Sequence, residues 1–236
     1  MRGSAALVTV SPTVGAELRQ RYAKPTATFF NGYSEEDVVD PPPRPPTDML
    51  SIVYTGTIYV GLRDPSALFA AIPLLGERRD RVEVVFYGPS EHEVRPVAER
   101  YGLWDRVVVR QNIPYRQALE RQAAADVLLL QRNHITDEGN IPAKFFEYLG
   151  ARRPILLLGC ETGIIANMIR ERQAGLVAND PAAIAARLGH WLDQLPQGIA
   201  ALSPAVPQGL SRKEQFAAYE AFLRTLVSDA AGSSPR

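Results

Sequence analysis

The chain contains the stretch GNIPAKFFEYLG at residues 139–150, between two apolar runs that predict strands, Asp126–Leu130 and Pro154–Leu158. Pro142 stands where the first residue of a helix is expected, because its missing N–H would be unpaired there anyway. Gly150 stands where the residue after a helix C-terminus is expected. The stretch therefore predicts a short helix between two buried strands, and this order of elements determines the fold class.

The first turn of this helix predicts an anion site, because the first N–H groups of a helix are unpaired and carry partial positive charge. Lys144 and Glu147 are three residues apart and lie on one side of the helix. A cation and a carboxylate beside such a helix end fit a ligand with phosphates at one end and hydroxyls at the other, as in a nucleotide sugar. The alternative is an ion pair between Lys144 and Glu147 on a solvated face, which stabilises a helix by about 0.2–0.5 kcal/mol.

Predicted strands and helices alternate on both sides of this stretch. The strands are Ser51–Thr55, Val82–Tyr87, Val107–Val109, Val127–Leu130, Ile155–Leu158 and Gly175–Val177, and the helices cover residues 65–75, 92–101, 115–124, 142–149, 162–172 and 181–194. The strands are continuous apolar runs, which indicates burial on both faces. The pattern predicts an α/β fold with a doubly wound parallel sheet, whose ligands bind at the carboxyl ends of the strands.

The sequence divides into four predicted segments. Residues 1–40 form a strand–helix–strand pattern that is too small to bury a core alone, and we interpret them as the remnant of a second domain. Residues 41–49 are a stiff Pro-rich linker. Residues 50–196 form the ligand-binding domain. Residues 197–236 contain a loop and a helix at 211–227, whose apolar side we expect to dock on a partner surface.

Composition excludes several classes of protein. Lys+Arg and Asp+Glu are both 26, so the formal net charge is zero and a nucleic-acid partner is not expected. Cys160 is the only cysteine, which indicates no internal disulfide and a reducing, cytoplasmic location. His92, His134 and His190 lack metal-like spacing. The sequence has no G-x-G-x-x-G after the first strand of the sheet, no P-loop and no G-x-S-x-G motif.

Glycine and polar residues follow the carboxyl ends of the predicted strands. Gly56 and Thr57 follow the first strand of the sheet, and Arg63 precedes the next helix. The guanidinium of Arg63 suits a diphosphate, although a surface pair with Asp64 is the alternative. Gly56 permits close approach of a ligand or is a plain turn glycine. After the fifth strand, Thr162 with Gly163 presents amides to a phosphate or sugar, or Thr162 is only an N-cap.

Together these residues resemble the donor-binding half of the GT-B retaining glycosyltransferases, in particular glycosyl transferases group 1. The resemblance rests on IVYTGT at 52–57, Arg63-Asp64-Pro65, the run KFFEYLGARRPIL at 144–156 and AGLV at 174–177, and it covers about residues 50–195. The start of the chain is similar to the end of the acceptor domain and the hinge of that family.

The resemblance implies roles for individual residues. Glu147 matches the second acid of the E-x7-E motif, which holds the ribose hydroxyls. The position of the first acid is occupied by Gly139, so Asp137, Glu138 or main-chain amides would contact the sugar instead. The Arg/Lys pair on the diphosphate falls on Thr57 and Arg63, so one cation is lost, and Lys144 is expected to replace it.

The resemblance also implies transfer of a sugar from a nucleoside-diphosphate sugar to a glycan or lipid-linked acceptor, with retention and without metal or cofactor. The expected catalytic residues are Arg63, Lys144 and Glu147. The expected donor contacts are Gly56, Thr57, Glu138, Asn140, Ile141, Pro142, Ala143, Thr162 and Gly163. The expected partners are an acceptor domain or partner chain, with peripheral membrane association of the full enzyme. The alternatives are a sugar-nucleotide epimerase and a non-catalytic nucleotide-binding or partner subunit.

Overall fold

The computed structural model describes residues 3–40, 47–58, 63–133 and 139–232. The chain begins with β1 (Leu7–Thr9), α1 (Pro12–Tyr22) and β2 (Thr26–Thr28), in which the two strands pair in parallel as a sheet of their own. This agrees with the predicted strand–helix–strand pattern, with shorter strands. The core of the predicted linker, residues 41–46, lies outside the described residues, and the proposed division into domains stays a prediction.

Six further strands form one parallel sheet in the order β5-β4-β3-β6-β7-β8. Their bounds are β3 (Leu50–Thr55), β4 (Val82–Tyr87), β5 (Val107–Arg110), β6 (Val127–Gln131), β7 (Ile155–Leu158) and β8 (Gly175–Val177). The chain starts this sheet at its centre, proceeds to the β5 edge, and then returns to pair β6 with β3. The predicted doubly wound parallel sheet is confirmed, and its topological switch point lies between β3 and β6.

Helices cover both faces of this sheet. They are α2 (Ser66–Ala71), α3 (Glu91–Arg100), α4 (Tyr115–Ala124), α5 (Ala143–Gly150), α6 (Gly163–Glu171) and α7 (Pro181–Gln194). Side chains of β6 alternate between two buried clusters, with Val127 and Leu129 in one and Leu128 and Leu130 in the other. The first cluster includes residues of α2, α3 and α7, and the second includes residues of α5 and α6. Burial on both sides explains why these strands are continuous apolar runs.

One predicted helix is shorter than expected. The helix predicted at 65–75 ends as α2 at Ala71, and 3₁₀ turns continue from Ile72 to Arg81. Pro73 has no N–H for a helical hydrogen bond, and Gly76 has a φ of 61°, which an α-helix does not contain. The local chemistry of these two residues therefore ends the helix despite its apolar pattern.

The last helix, α8 (Arg212–Gly232), packs on the first unit of the chain, which consists of β1, α1, β2 and the residues directly after β2. The ring of Phe29, just after β2, lies 5.2 Å from the ring of Tyr219 and 5.9 Å from that of Phe222. Phe216 remains 69% exposed on the same helix. The predicted apolar side is therefore only partly covered. No helix within the described ranges combines the length and apolar content that a bilayer-spanning helix needs.

Gly150 does not have the role that its sequence position predicts. It is the last residue of α5 itself, and Ala151 follows it in helical conformation. A Cβ added to Gly150 would lie 3.0 Å from the ring of Tyr33. Glycine at this position therefore permits close packing of Tyr33 on the end of α5 and does not terminate the helix through a left-handed conformation.

Candidate functional site

A cavity of about 370 Å³ opens at the carboxyl ends of β3 and β4, beside the switch point of the sheet. It is lined by Thr55, Gly56, Tyr87, Asn112, Ile113, Tyr115, Ala118, Gln122, Lys144 and Glu147. Ligand pockets typically have volumes of about 300–1,000 Å³, so the cavity has the size of a small-molecule site. It also lies where open α/β sheets bind their ligands.

Lys144 extends from the first turn of α5 to the end of β3. Its Nζ donates a 2.5 Å hydrogen bond to the carbonyl oxygen of Thr55 and lies 4.3 Å from the centre of the Tyr54 ring. A Cβ at Gly56 would approach this Nζ to 2.6 Å, so a side chain at position 56 would displace the ammonium from its present place. Burial, and then the charge of Arg63, lower the pKa of Lys144 to about 8, while Glu147 opposes the shift.

Arg63 meets the other side of Tyr54. Its Nη1 donates to the Tyr54 hydroxyl at 3.2 Å and to the carbonyl oxygen of Thr57 at 2.6 Å. The carboxylate of Asp64 is engaged elsewhere, since its Oδ1 accepts from the Ser66 amide at 2.8 Å at the start of α2. Tyr54 therefore holds two cations close together, one at its hydroxyl and one at its ring face.

The start of α5 adds amide donors near these cations. Pro142 is the N-cap with a ψ of 146°, so the helix begins one residue later than predicted, at Ala143. No side chain caps this end. Asn140 is exposed and its carbonyl oxygen accepts from Arg132, a buried side chain that the sequence did not single out. Ile141 packs in the core, so only its main chain is available to a ligand.

Glu147 lies on the cavity wall one turn further along α5 and is half-buried. Its Oε2 accepts a 3.2 Å hydrogen bond from Nε2 of Gln122 on α4. Among the described residues, Lys144 and Glu147 form no ion pair with each other. The alternative of a simple surface pair therefore does not describe this helix, and the two charged groups serve different parts of the cavity.

Tyr148 fixes the position of α5 across the switch point. Its buried hydroxyl accepts from the Thr55 amide at 3.3 Å and contacts the Leu129 carbonyl oxygen, also at 3.3 Å. Burial raises the pKa of Tyr148. Because β3 and β6 are adjacent, a single phenol contacts both central strands. The helix that carries Lys144 and Glu147 is thereby tied to the middle of the sheet.

Tyr115 connects the cavity to the segment after β2. Its hydroxyl donates to Oδ2 of Asp37 at 3.2 Å. Burial, and then the charges of Glu147 and Asp37, raise the pKa of Tyr115 to about 12. Sequence reasoning assigned no role to Tyr54, Tyr115 or Gln122, because each of these side chains comes to the site through tertiary packing.

The remaining predicted contacts lie outside this cavity. Thr162 is the N-cap of α6 without a side-chain cap bond, and Gly163 has a φ of 86°. Both follow β7 on the same edge of the sheet as the cavity but do not line it. Thr57 is exposed and contributes its carbonyl oxygen to Arg63. Glu138, with His134 and Asp137, lies outside the described residues.

Gly139 lies against the first unit of the chain. A Cβ at this position would be 3.4 Å from Cγ2 of Val14 and 3.7 Å from Oγ of Ser11. A Cβ at this position would therefore make ordinary van der Waals contact with the start of α1. No cluster of three or more His, Cys, Asp or Glu side chains suited to a metal occurs among the residues described above.

The parallel sheet and the polar cavity at its carboxyl edge define a Rossmann-like α/β domain. Residues 50–194 match the family model described as glycosyl transferases group 1. This match covers more than half of the chain, and the chain belongs to that family. Among curated protein sequences, no significant relative is found.

Solved structures share the fold at low sequence identity. The GtfA/B complex has a TM-score of 0.69 and 14% identity over 94% of this chain, which covers 45% of the solved chain. The pneumococcal O-GlcNAc transferase GtfA in complex with UDP and GlcNAc has a TM-score of 0.66 and 13% identity, again over 94% and 45%. The lipopolysaccharide outer core galactosyltransferase WaaB has a TM-score of 0.67 and 16% identity, over 94% and 62%. The chain thus spans about half of the first two structures.

Proposed function

We propose that this chain is the donor-binding part of a retaining glycosyltransferase, which transfers a sugar from a nucleoside-diphosphate sugar to a glycan or lipid-linked acceptor. The observation that carries the proposal is the arrangement of Lys144 and Arg63 around Tyr54, with Glu147 also on the wall of the cavity that Lys144 lines. The two cations suit the diphosphate of such a donor, and the carboxylate suits the hydroxyl groups of its ribose.

The phosphate end of the donor belongs at Lys144, Arg63 and the first amides of α5. Cations and uncapped helix amides form charge-assisted hydrogen bonds with phosphate oxygens. The same groups stabilise the charge on the diphosphate as it leaves the sugar, so they support catalysis and not only binding. Lys144 takes the place of the cation that the family pattern expects at Thr57. The mechanism we propose needs no metal, because these protein groups supply the positive charge.

The ribose belongs at Glu147. One carboxylate oxygen is held by Gln122, and the other is available to accept from ribose hydroxyls. The pneumococcal GtfA structure was solved in complex with UDP and GlcNAc, and this pair of ligands supports the donor class proposed for this chain.

The acceptor belongs on a second body, an acceptor domain that docks on the first unit and α8. An apolar groove lies between the first unit and α8. Val8 and Val10 of the first unit and Phe216 of α8 are exposed there, and Phe29 and Tyr219 also line the groove. The solved GtfA/B complex supports a partner chain as one source of that second body. We place the full enzyme in the cytoplasm, with peripheral association to a membrane when its acceptor is lipid-linked.

Calorimetry with a panel of nucleoside diphosphates and the corresponding nucleosides tests the donor site. We expect the chain to bind at least one diphosphate more tightly than its nucleoside, and Arg63→Ala to remove most of that preference. Arg116→Ala is the matched control, since Arg116 is exposed on α4 and pairs only loosely with Glu120. Absence of binding to every diphosphate, with the fold intact, would contradict the proposal.

A second candidate is a subunit that binds the donor without transferring the sugar. Gly139 and Thr57 favour it, because both lack a charged side chain that the family pattern expects. An assay with labelled nucleotide sugars and glycan or lipid acceptors, with and without an added acceptor domain, separates the two. Transfer only in the presence of the acceptor domain supports the enzyme, whereas donor binding without transfer under either condition supports the subunit.

A further inference from the structure

Gln122 is a buried amide that contacts the carboxylate assigned to the ribose. It lies on α4, is only 1% exposed, and reaches across to β3 and α5. Its Nε2 donates to Oγ1 of Thr55 at 3.0 Å and to Oε2 of Glu147 at 3.2 Å. Both N–H groups of the amide are therefore engaged, and one of them points at Glu147.

The orientation of this amide follows from its partners. If the amide were rotated by 180°, its carbonyl oxygen would face the Glu147 carboxylate, and two acceptors would oppose each other. In the observed orientation, Oε1 is buried and has no hydrogen-bond partner among the described residues. A side chain selected only for packing would not leave this oxygen unpaired, since unpaired buried polar atoms destabilise a fold.

We propose that Gln122 is a positioning residue that fixes the Glu147 carboxylate for recognition of the ribose hydroxyls. This inference rests on the proposed donor site and adds a residue that acts through Glu147. Glu147 is half-buried on the cavity wall, and without a donor on Oε2 its carboxylate can rotate about the last side-chain bond. With Gln122 in place, one oxygen is held and the other is presented to the cavity. Gln122 thereby sets the selectivity for ribose over deoxyribose.

The test compares a ribonucleoside diphosphate with its 2′-deoxy and 3′-deoxy analogues, for the base that the wild-type chain binds best. Calorimetry is expected to show that the wild type prefers the ribonucleotide by about tenfold or more, because a site with a hydroxyl-binding carboxylate rejects analogues that lack the hydroxyl. Gln122→Met preserves the length of the side chain and removes the donor. We expect it to reduce the preference to about threefold or less, with little change in affinity for the deoxy analogues.

The controls separate positioning from general stability. Gln117→Met makes the same substitution at an exposed position of the same helix and should preserve the ribose preference. If Gln122→Met does not fold, as judged by circular dichroism, Gln122→Leu provides the test, since it also removes the donor and leaves an apolar side chain at this buried position. It should also abolish the preference.

Three outcomes would overturn the inference. A full ribose preference in folded Gln122→Met shows that Glu147 needs no support from Gln122. An equal loss of affinity for ribose and deoxyribose ligands shows a purely structural role for the amide. A wild-type chain that binds no nucleoside diphosphate overturns the donor site together with this inference, whereas the first two outcomes leave the donor site intact.

Discussion

The six-stranded sheet and the β1–α1–β2 unit are both parallel α/β structures, but they differ in what covers them. The six-stranded sheet has buried clusters on both faces, and its central strands are almost entirely buried. In the small unit, Val8 and Val10 are 46% and 49% exposed, and Leu7 is the one buried apolar side chain that its described strands supply. The strand–helix pattern therefore builds a buried core only where both faces of the sheet are covered, and in the small unit α8 supplies part of that cover.

The prediction with the largest expected effect compares how much a buried ring contributes to the free energy of unfolding in each region. Phe145 is fully buried beneath the large sheet, and Phe145→Ala should lower the free energy of unfolding by about 3–5 kcal/mol. Phe29→Ala in the small unit should cost about 1 kcal/mol or less, because Phe29 is only half-buried, with its ring beside Tyr219 and Phe222 of α8. Denaturant titration followed by far-ultraviolet circular dichroism measures both, since this signal comes from the helices and strands of both regions. Similar costs for the two variants would show that the small unit folds as part of the same core.

The second prediction tests whether the proposed donor site lies entirely on the large region, that is, on the six-stranded sheet and the helices that cover it. Lys144→Met removes one of the two cations that we propose bind phosphate. Charge-assisted hydrogen bonds contribute about 1.5–3 kcal/mol each, so affinity for a nucleoside diphosphate should fall by about tenfold to a hundredfold. Lys213→Met, at an exposed position of α8, is the matched control and should leave the affinity unchanged. Calorimetry gives both values. A loss at Lys213 equal to that at Lys144 would place part of the phosphate site on α8.

A third effect probes the contact between the two regions. Gly150→Val places extra atoms on the ring of Tyr33, and such overpacking typically costs about 1–3 kcal/mol. The same substitution in a Tyr33→Ala background should cost less, because the ring is no longer there to collide with. A double-mutant cycle by thermal denaturation measures the coupling. Additive effects would mean that Tyr33 and Gly150 do not interact in solution.

The smallest effect concerns pH. The proposed phosphate contact requires the charged form of Lys144, whose pKa is lowered to about 8, so Lys144 loses its proton in the free site as the pH rises through that value. Diphosphate affinity should therefore fall by about tenfold between about pH 7 and pH 9. Lys144→Arg keeps its charge over this range and should give a flat profile. A falling profile that persists in Lys144→Arg would assign the titration to another group.

Sequence reasoning predicted the large sheet well and the site in part. The strands from β3 to β8 agree with their predicted bounds to within one residue at each end, because burial on both faces produces apolar runs that are visible in the sequence. Lys144 and Glu147 were identified because helix-start chemistry and spacing placed them on one turn. The roles of Gln122 and Tyr54 were not identified, because these roles depend on which helix packs beside which strand. Gly150 was misinterpreted because a close approach and a helix end both favour glycine.

The contact of Tyr33 with Gly150 has a mechanical consequence. The helix α5 presents its first turn to the cavity and its last turn to Tyr33, so a single rigid helix about 12 Å long spans the two places. Packed contacts of this kind are exchanged in discrete steps and not stretched gradually. A change in the angle between α5 and the segment that carries Tyr33 would therefore have to release the Tyr33 ring from the end of the helix in one step.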